Sequence, residues 1–297
     1  MCYLLLSLLS VPLFADEPDV HLSGDERIML LPIRGGAEFS GTANYCVWLK
    51  QQTTENRSWR VKLLMPDGGM LLRPAGHRAS PVPFEILVQR HVGAPFSRVR
   101  TEEVMLSGDR LVSHCGTDGS SFQLMVQPTM ATELIAGGSY QQRLRMALLV
   151  DGMESQIIEV PLVLQVRELI SATLNESSLS LPTFDGRTTP VGSVGLCLFR
   201  NGGGDYAVRL QGDGERGQFQ LMKGQVAIAY QPHWQINGQP WESPQPGQQS
   251  RTYQGSTFRD CRGADNATVH VVIPLEEARK AASGRYRGRL RIIVQAR

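Results

Sequence analysis

Lysine is almost missing. Lys50, Lys62, Lys223 and Lys280 are four of 30 basic residues, and the other 26 are arginine. Genome base composition and an anion-binding surface both account for that excess. An excess of one charge sign is also absent: 30 basic against 28 acidic residues leave a net charge of +2, no global field to gather nucleic acid, so a DNA or RNA binder is disfavoured. Beyond the first 15 residues no run approaches the 18 or so apolar residues of a membrane-spanning helix. No close Cys or His pair has zinc-ligand spacing, and His114 and His233 stand without partners at metal or triad spacing. No Ser, His and Asp set, no paired carboxylates and no phosphate loop is found. These absences point away from an enzyme, and no cofactor or metal is expected. Thirty glycines and 17 prolines in 297 residues exclude an all-helical chain.

What is present is short apolar alternation over a length suited to two domains. Residues 3–14 form an apolar run too short to span a membrane, and Ala15 offers a cleavage point, so 1–15 reads as a signal peptide, although no Lys or Arg precedes it. Export would remove Cys2 and leave Cys46, Cys115, Cys197 and Cys261. The intervals, 115 − 46 = 69 and 261 − 197 = 64, favour one disulfide in each half. Each would contribute roughly 4 kcal/mol in the chain-entropy account, in an oxidising compartment.

The cysteines anchor an internal repeat. Cys115 and Cys261, Pro128 and Pro274, Gly138 and Gly284, Tyr140 and Tyr286, and Leu144 and Leu290 all differ by 146, whereas Cys46 and Cys197 differ by 151 and set Ile28 and Leu30 opposite Leu179 and Leu181. In each copy the alternation predicts strands, at 59–63, 122–126, 140–150, 206–210, 269–273 and 286–294. Pro128 to Gly137 and Pro274 to Ser283 read as helical turns. The fold expected is all-β: two immunoglobulin-like β-sandwich domains in tandem, each of stacked antiparallel sheets, over 16–166 and 179–297, with a linker at 167–178.

The copies differ at their ends. The first follows its 140–150 strand with the turn Asp151-Gly152 and a further apolar strand, 156–164, for which the second offers no counterpart. The C-terminal domain is therefore expected to lack its last strand and to present an acceptor edge along Tyr286, Leu290, Ile292 and Val294, open to strand addition. Asp16 to Arg27, with five acids and little alternation, reads as a poor donor strand. An acceptor without a donor belongs at the end of a polymer.

These residues carry a resemblance. Leu179-Ser-Leu-Pro-Thr-Phe184, Leu196-Cys197-Leu198-Phe199, Gly217-Gln-Phe-Gln-Leu221, Cys261 and Gly284-Arg-Tyr-Arg-Gly288 resemble the pilin domain of tip-located initiator adhesins of alternate chaperone-usher fimbriae. These are the colonisation factor antigen I type and the related cable-pilus minor subunits. The first half is similar through Cys115, Pro128, Glu133-Leu134, Gly137-Gly138 and Ile157 to Val166. The resemblance implies an adhesin domain followed by a pilin domain, held by a periplasmic chaperone, passed through an outer-membrane usher and completed by the donor strand of the major pilin. It implies export to the periplasm and then display at the fimbrial tip, where the subunit initiates assembly and adheres to a host glycan or glycoprotein. A basic pair that helps receptor binding in that family aligns with Leu148, Leu149 and Val150, so no receptor specificity carries over. A periplasmic pilus chaperone and another secreted two-domain binding protein remain as alternatives.

The loops carry further candidates. Arg73, His77, Arg78, Arg90, His91, Arg98 and Arg100 gather around first-domain loops, as a candidate contact for an acidic receptor or as a solvated face. Gly212 to Gly217 fits G-x-G-x-x-G but lies between alternating strands, and with Asn201-Gly202-Gly203-Gly204-Asp205 reads as a turn.

Overall fold

The computed structural model describes residues 20–33, 38–50, 57–64, 66, 68–76, 79–91, 93–100, 103–109, 115 and 120–297; the expected signal peptide, His77, Arg78 and His114 lie outside them. The described chain is all-β. In the first copy the strands are Val20–Gly24 (β1), Ile28–Pro32 (β2), Phe39–Leu49 (β3), Trp59–Leu64 (β4), Leu71–Pro74 (β5), Val82–Gln89 (β6), Ser97–Arg98 (β7), Val104–Gly108 (β8), Ser121–Pro128 (β9), Gly138–Val150 (β10) and Met153–Val166 (β11). The second has Ile170–Leu174 (β12), Val191–Arg200 (β13), Asp205–Gln211 (β14), Gln220–Lys223 (β15), Val226–Ala229 (β16), Gln231–Ile236 (β17), Gln249–Gln254 (β18), Ala267–Val272 (β19) and Arg291–Ala296 (β20). The helical turns expected after the two prolines are a 3-10 turn at Thr132–Leu134 and the helix Leu275–Lys280 (α1).

Alternation decides what each strand buries. Val61 and Leu63 on β4, Phe84 and Ile86 on β6, and Leu124 and Val126 on β9 point into one core that reaches from Val20 to Val166. A separate core is built from Leu196, Leu198, Tyr206, Val208, Trp234, Val269 and their neighbours. Cys46 is bonded to Cys115 and Cys197 to Cys261, the pairing that the intervals favour.

The first copy is not a plain pair of stacked antiparallel sheets. Its strands run β11-β2-β3-β9-β6-β5-β10, and β10 pairs back on β11, so the sheet closes like a barrel with β4 and β8 continuing from β10. Closure needs β11 to pair on both sides, antiparallel to β10 and parallel to β2. The two-residue turn Asp151-Gly152, with φ of 49° and 87°, sends the chain straight back along β10. In the second copy the strands divide into sheets β12-β13-β19-β17, β18-β14-β20 and β15-β16.

The duplication reappears in strand register. Leu148 pairs with Val61 and Val294 with Val208; Val150 pairs with Trp59 and Ala296 with Tyr206, both at the offset 294 − 148 = 296 − 150 = 146. Two expectations change. The acidic segment before Ile28 holds β1, whose Val20 and Leu22 are buried and whose residues pair with β3, so it is engaged in its own sheet. Its counterpart β12 lies within the expected linker and pairs with β13. Both strands are short, and His21 and Ser23 in β1 and Ser171 and Thr173 in β12 dilute their apolar signal.

Candidate functional site

The site grows out of the long strand β11, for which the second copy shows no counterpart among the described residues. β11 turns Val160, Leu162, Leu164 and Val166 inward, between β10 and β2, where all four are buried. Its neighbours Leu144, Met146 and Leu148 on β10, and Ile28 and Leu30 on β2, are at most 1% exposed. In the second copy the equivalents are Leu290, Ile292, Val294, Leu179 and Leu181, and each is only partly buried against its core. The same backbone contact identifies the equivalence: a Cβ on Gly41 would stand 2.7 Å from Ile28 Cγ2, and one on Gly192 would stand 3.0 Å from Leu179 Cδ1 and 2.8 Å from Leu181 Cδ2.

Among the described residues, β20 pairs with β14 on one side and with nothing on the other, and residues 179–181 join no sheet. A one-sided strand is also shorter. The expected strand 286–294 begins at Arg291, and Tyr286 to Leu290 keep only an isolated bridge between Arg287 and Met222, because nothing flanks them as β11 flanks β10 along its full length. Tyr286 itself reports the difference. Its counterpart Tyr140 donates its hydroxyl to Ala136 O at 2.8 Å, whereas the buried Tyr286 hydroxyl has no partner among the described residues. Of the four expected acceptor residues, Ile292 and Val294 lie on the one-sided strand β20, and Tyr286 and Leu290 precede it.

The arginine candidates do not form one cluster. Arg73 on β5 and Arg90 with His91 lie toward opposite ends of β6, which over its eight residues spans roughly 26 Å. Arg98 is engaged by Glu85, its Nε donating to Oε2 at 2.6 Å, and the Gln127 amide, followed by Arg98, holds that carboxyl below its usual range. Arg100 is exposed. What the structure does bring together was not evident in the sequence. Arg73 pairs with Gln141, and β10 carries Arg143 and Arg145 on the same outward face, beside Glu159 on β11. Glu159 takes Arg143 at 3.2 Å and Arg145 at 3.4 Å, which leaves a net positive concavity of about 450 Å³ floored by Pro161, Leu162 and Val163. The local signal that could have found part of it is Arg143-Leu144-Arg145, since alternate positions of a strand share a face.

The remaining loops are structural. Gly212 N–H donates to Gly217 O at 2.8 Å, closing a turn between strands β14 and β15. Asn201 opens a 3-10 turn and is buried rather than loose.

No protein-family model matches the chain, and no curated protein matches it. Similar solved structures exist among tip adhesins of chaperone-usher fimbriae. The CupB6 tip adhesin of Pseudomonas aeruginosa is 8% identical, with 93% of this chain and 95% of that one covered and a TM-score of 0.43. An enterotoxigenic E. coli CFA/I adhesin, a CfaE variant, is 14% identical over 91% of this chain and 90% of that one, at a TM-score of 0.41. The chaperone and tip-subunit complex CsuC-CsuE of the archaic Csu pili of Acinetobacter baumannii is 14% identical, with 93% of this chain and 100% of that one covered and a TM-score of 0.40. Each score lies below 0.5, and the function proposed below rests on the chain's own geometry.

Proposed function

We propose that this chain is a fimbrial tip subunit, made of an adhesin-like and a pilin-like β domain, whose second domain accepts a strand from another subunit. The observation that carries the reading is the unequal burial of matched residues: Leu144, Met146 and Leu148, beside β11, are fully buried, and Leu290, Ile292 and Val294 are only partly buried. An open apolar edge costs stability and recruits a strand, and backbone bonds with alternate apolar side chains are what strand addition supplies. The first copy indicates the donor's form: antiparallel to β20, parallel to residues 179–181, with apolar residues at every second position, as in Val160, Leu162, Leu164 and Val166. A periplasmic chaperone would hold the same edge before an usher exchanges it for the donor strand of the major pilin. Such a subunit starts a fibre and is displayed at its tip, with the first domain left to meet a host glycan or glycoprotein.

The test is thermal unfolding of the full mature chain, alone and with peptides copied from the N-terminal segments of neighbouring pilins. Binding to the folded state raises the midpoint by linkage. A rise of many degrees that a peptide of shuffled sequence does not reproduce is expected. A high midpoint untouched by any peptide would sink the acceptor reading and favour a chaperone or an independent binder.

A further inference from the structure

Two histidines far apart in sequence meet in the second copy. The register of β17 and β19 sets His233 directly opposite His270. Their neighbours Trp234, Val269 and Val271 face the core, so both imidazoles stand on the outward face, half-buried. Residues directly opposite on antiparallel strands have Cβ atoms roughly 4.5–5.5 Å apart, a separation from which two ring nitrogens reach one ion at about 2.0–2.1 Å.

The surroundings orient both rings. His233 Nδ1 is bonded to Ser243 Oγ at 2.8 Å, which leaves Nε2 without a hydrogen bond among the described residues. A bond of this kind on the second nitrogen fixes the ring of a metal ligand. Trp241 stands edge-on to His270 with ring centroids 3.7 Å apart and restricts its rotation. The loop that carries both is fastened to β17 by two backbone bonds of 2.8 Å between Trp234 and Glu242. The Glu242 carboxylate accepts from the Tyr253 hydroxyl at 2.6 Å and pairs with Arg251, so it is occupied elsewhere. Among the described residues no third His, Cys, Asp or Glu joins the pair.

We propose that His233 and His270 form an open two-imidazole site for a divalent late first-row metal ion, with Ser243 as a positioning residue. Two neutral nitrogen donors and no carboxylate exclude calcium and magnesium, and suit zinc, nickel and above all copper, which heads the affinity order. Water completes the coordination.

The experiment titrates Cu2+ into the full mature chain and reads electron paramagnetic resonance together with the unfolding midpoint. One copper with hyperfine structure from two imidazole nitrogens is expected, together with a copper-dependent rise in midpoint. His233→Gln and His270→Gln should each weaken binding at least about tenfold and leave the metal-free midpoint unchanged, and Ser243→Ala should weaken it about tenfold. Copper bound equally by wild type and the double histidine variant would assign it to other groups and overturn the proposal. So would a wild-type chain that takes up no copper at molar excess.

Discussion

Asn201 joins the two copies through its side-chain amide. Its Oδ1 accepts the Leu169 N–H at 2.9 Å, and its Nδ2 donates to Ile135 O at 3.0 Å and to Arg167 O at 3.1 Å. Only an amide offers one acceptor and two donors in that fork. Gly202 follows with φ of 68° and packs against Ala136, where a Cβ would stand 2.4 Å from the Ala136 nitrogen. Replacing Asn201 with alanine leaves one donor and two acceptors unpaired, at about 1–3 kcal/mol for each group that water does not reach. Urea unfolding should show that loss, with faster proteolysis between residues 167 and 178. An Asn201→Ala chain as stable and as resistant as the parent would show that the amide does not hold the joint. In sequence the Asn-Gly-Gly-Gly run correctly marks a turn, since Gly202 and Gly203 both take positive φ, but nothing local signals that its first residue is buried against the other copy.

A matched comparison inside one molecule is available at the level of strands. Leu144 on β10 is covered by β11 and Leu290 lies before β20 with no such cover, although the repeat makes them equivalents. Leu144→Ala should cost about 2–5 kcal/mol, the usual range for a fully buried leucine. Leu290→Ala should cost well under half of that in the isolated chain, because its side chain keeps part of its contact with water. With a donor peptide bound the two costs should converge. Equal costs without peptide, measured by denaturant unfolding, would mean that the edge beside Leu290 is already closed.

For the whole molecule, the proposed function assigns strand acceptance to the second copy and receptor contact to the first. The outward face of β5, β10 and β11 carries Arg143 and Arg145 beside Glu159 with Arg73 farther along it opposite Gln141, and charge-assisted bonds from arginine suit carboxylate or sulfate groups of a receptor. Replacing those three arginines with alanine should lower adhesion to acidic glycans more than tenfold, in a salt-dependent way, and leave the peptide-induced rise in midpoint intact. Leu290→Asp should do the reverse. Unchanged adhesion in the triple-arginine chain would move the receptor contact to another surface of the first copy.

The sequence alone determined the β class, the duplication, the pairing of four cysteines and a strand at 156–164, because each is written in local alternation, in residue spacing or in a constant offset. It also located the short turns, where glycine at positive φ leaves a local mark. Only the tertiary structure decided that β11 closes a barrel rather than capping a sandwich, since its parallel pairing with β2 joins residues more than 130 positions apart. The same holds for the division of the arginine candidates and for the meeting of His233 with His270. Strand register sets which distant side chains share a face, and register is a property of the packed sheet.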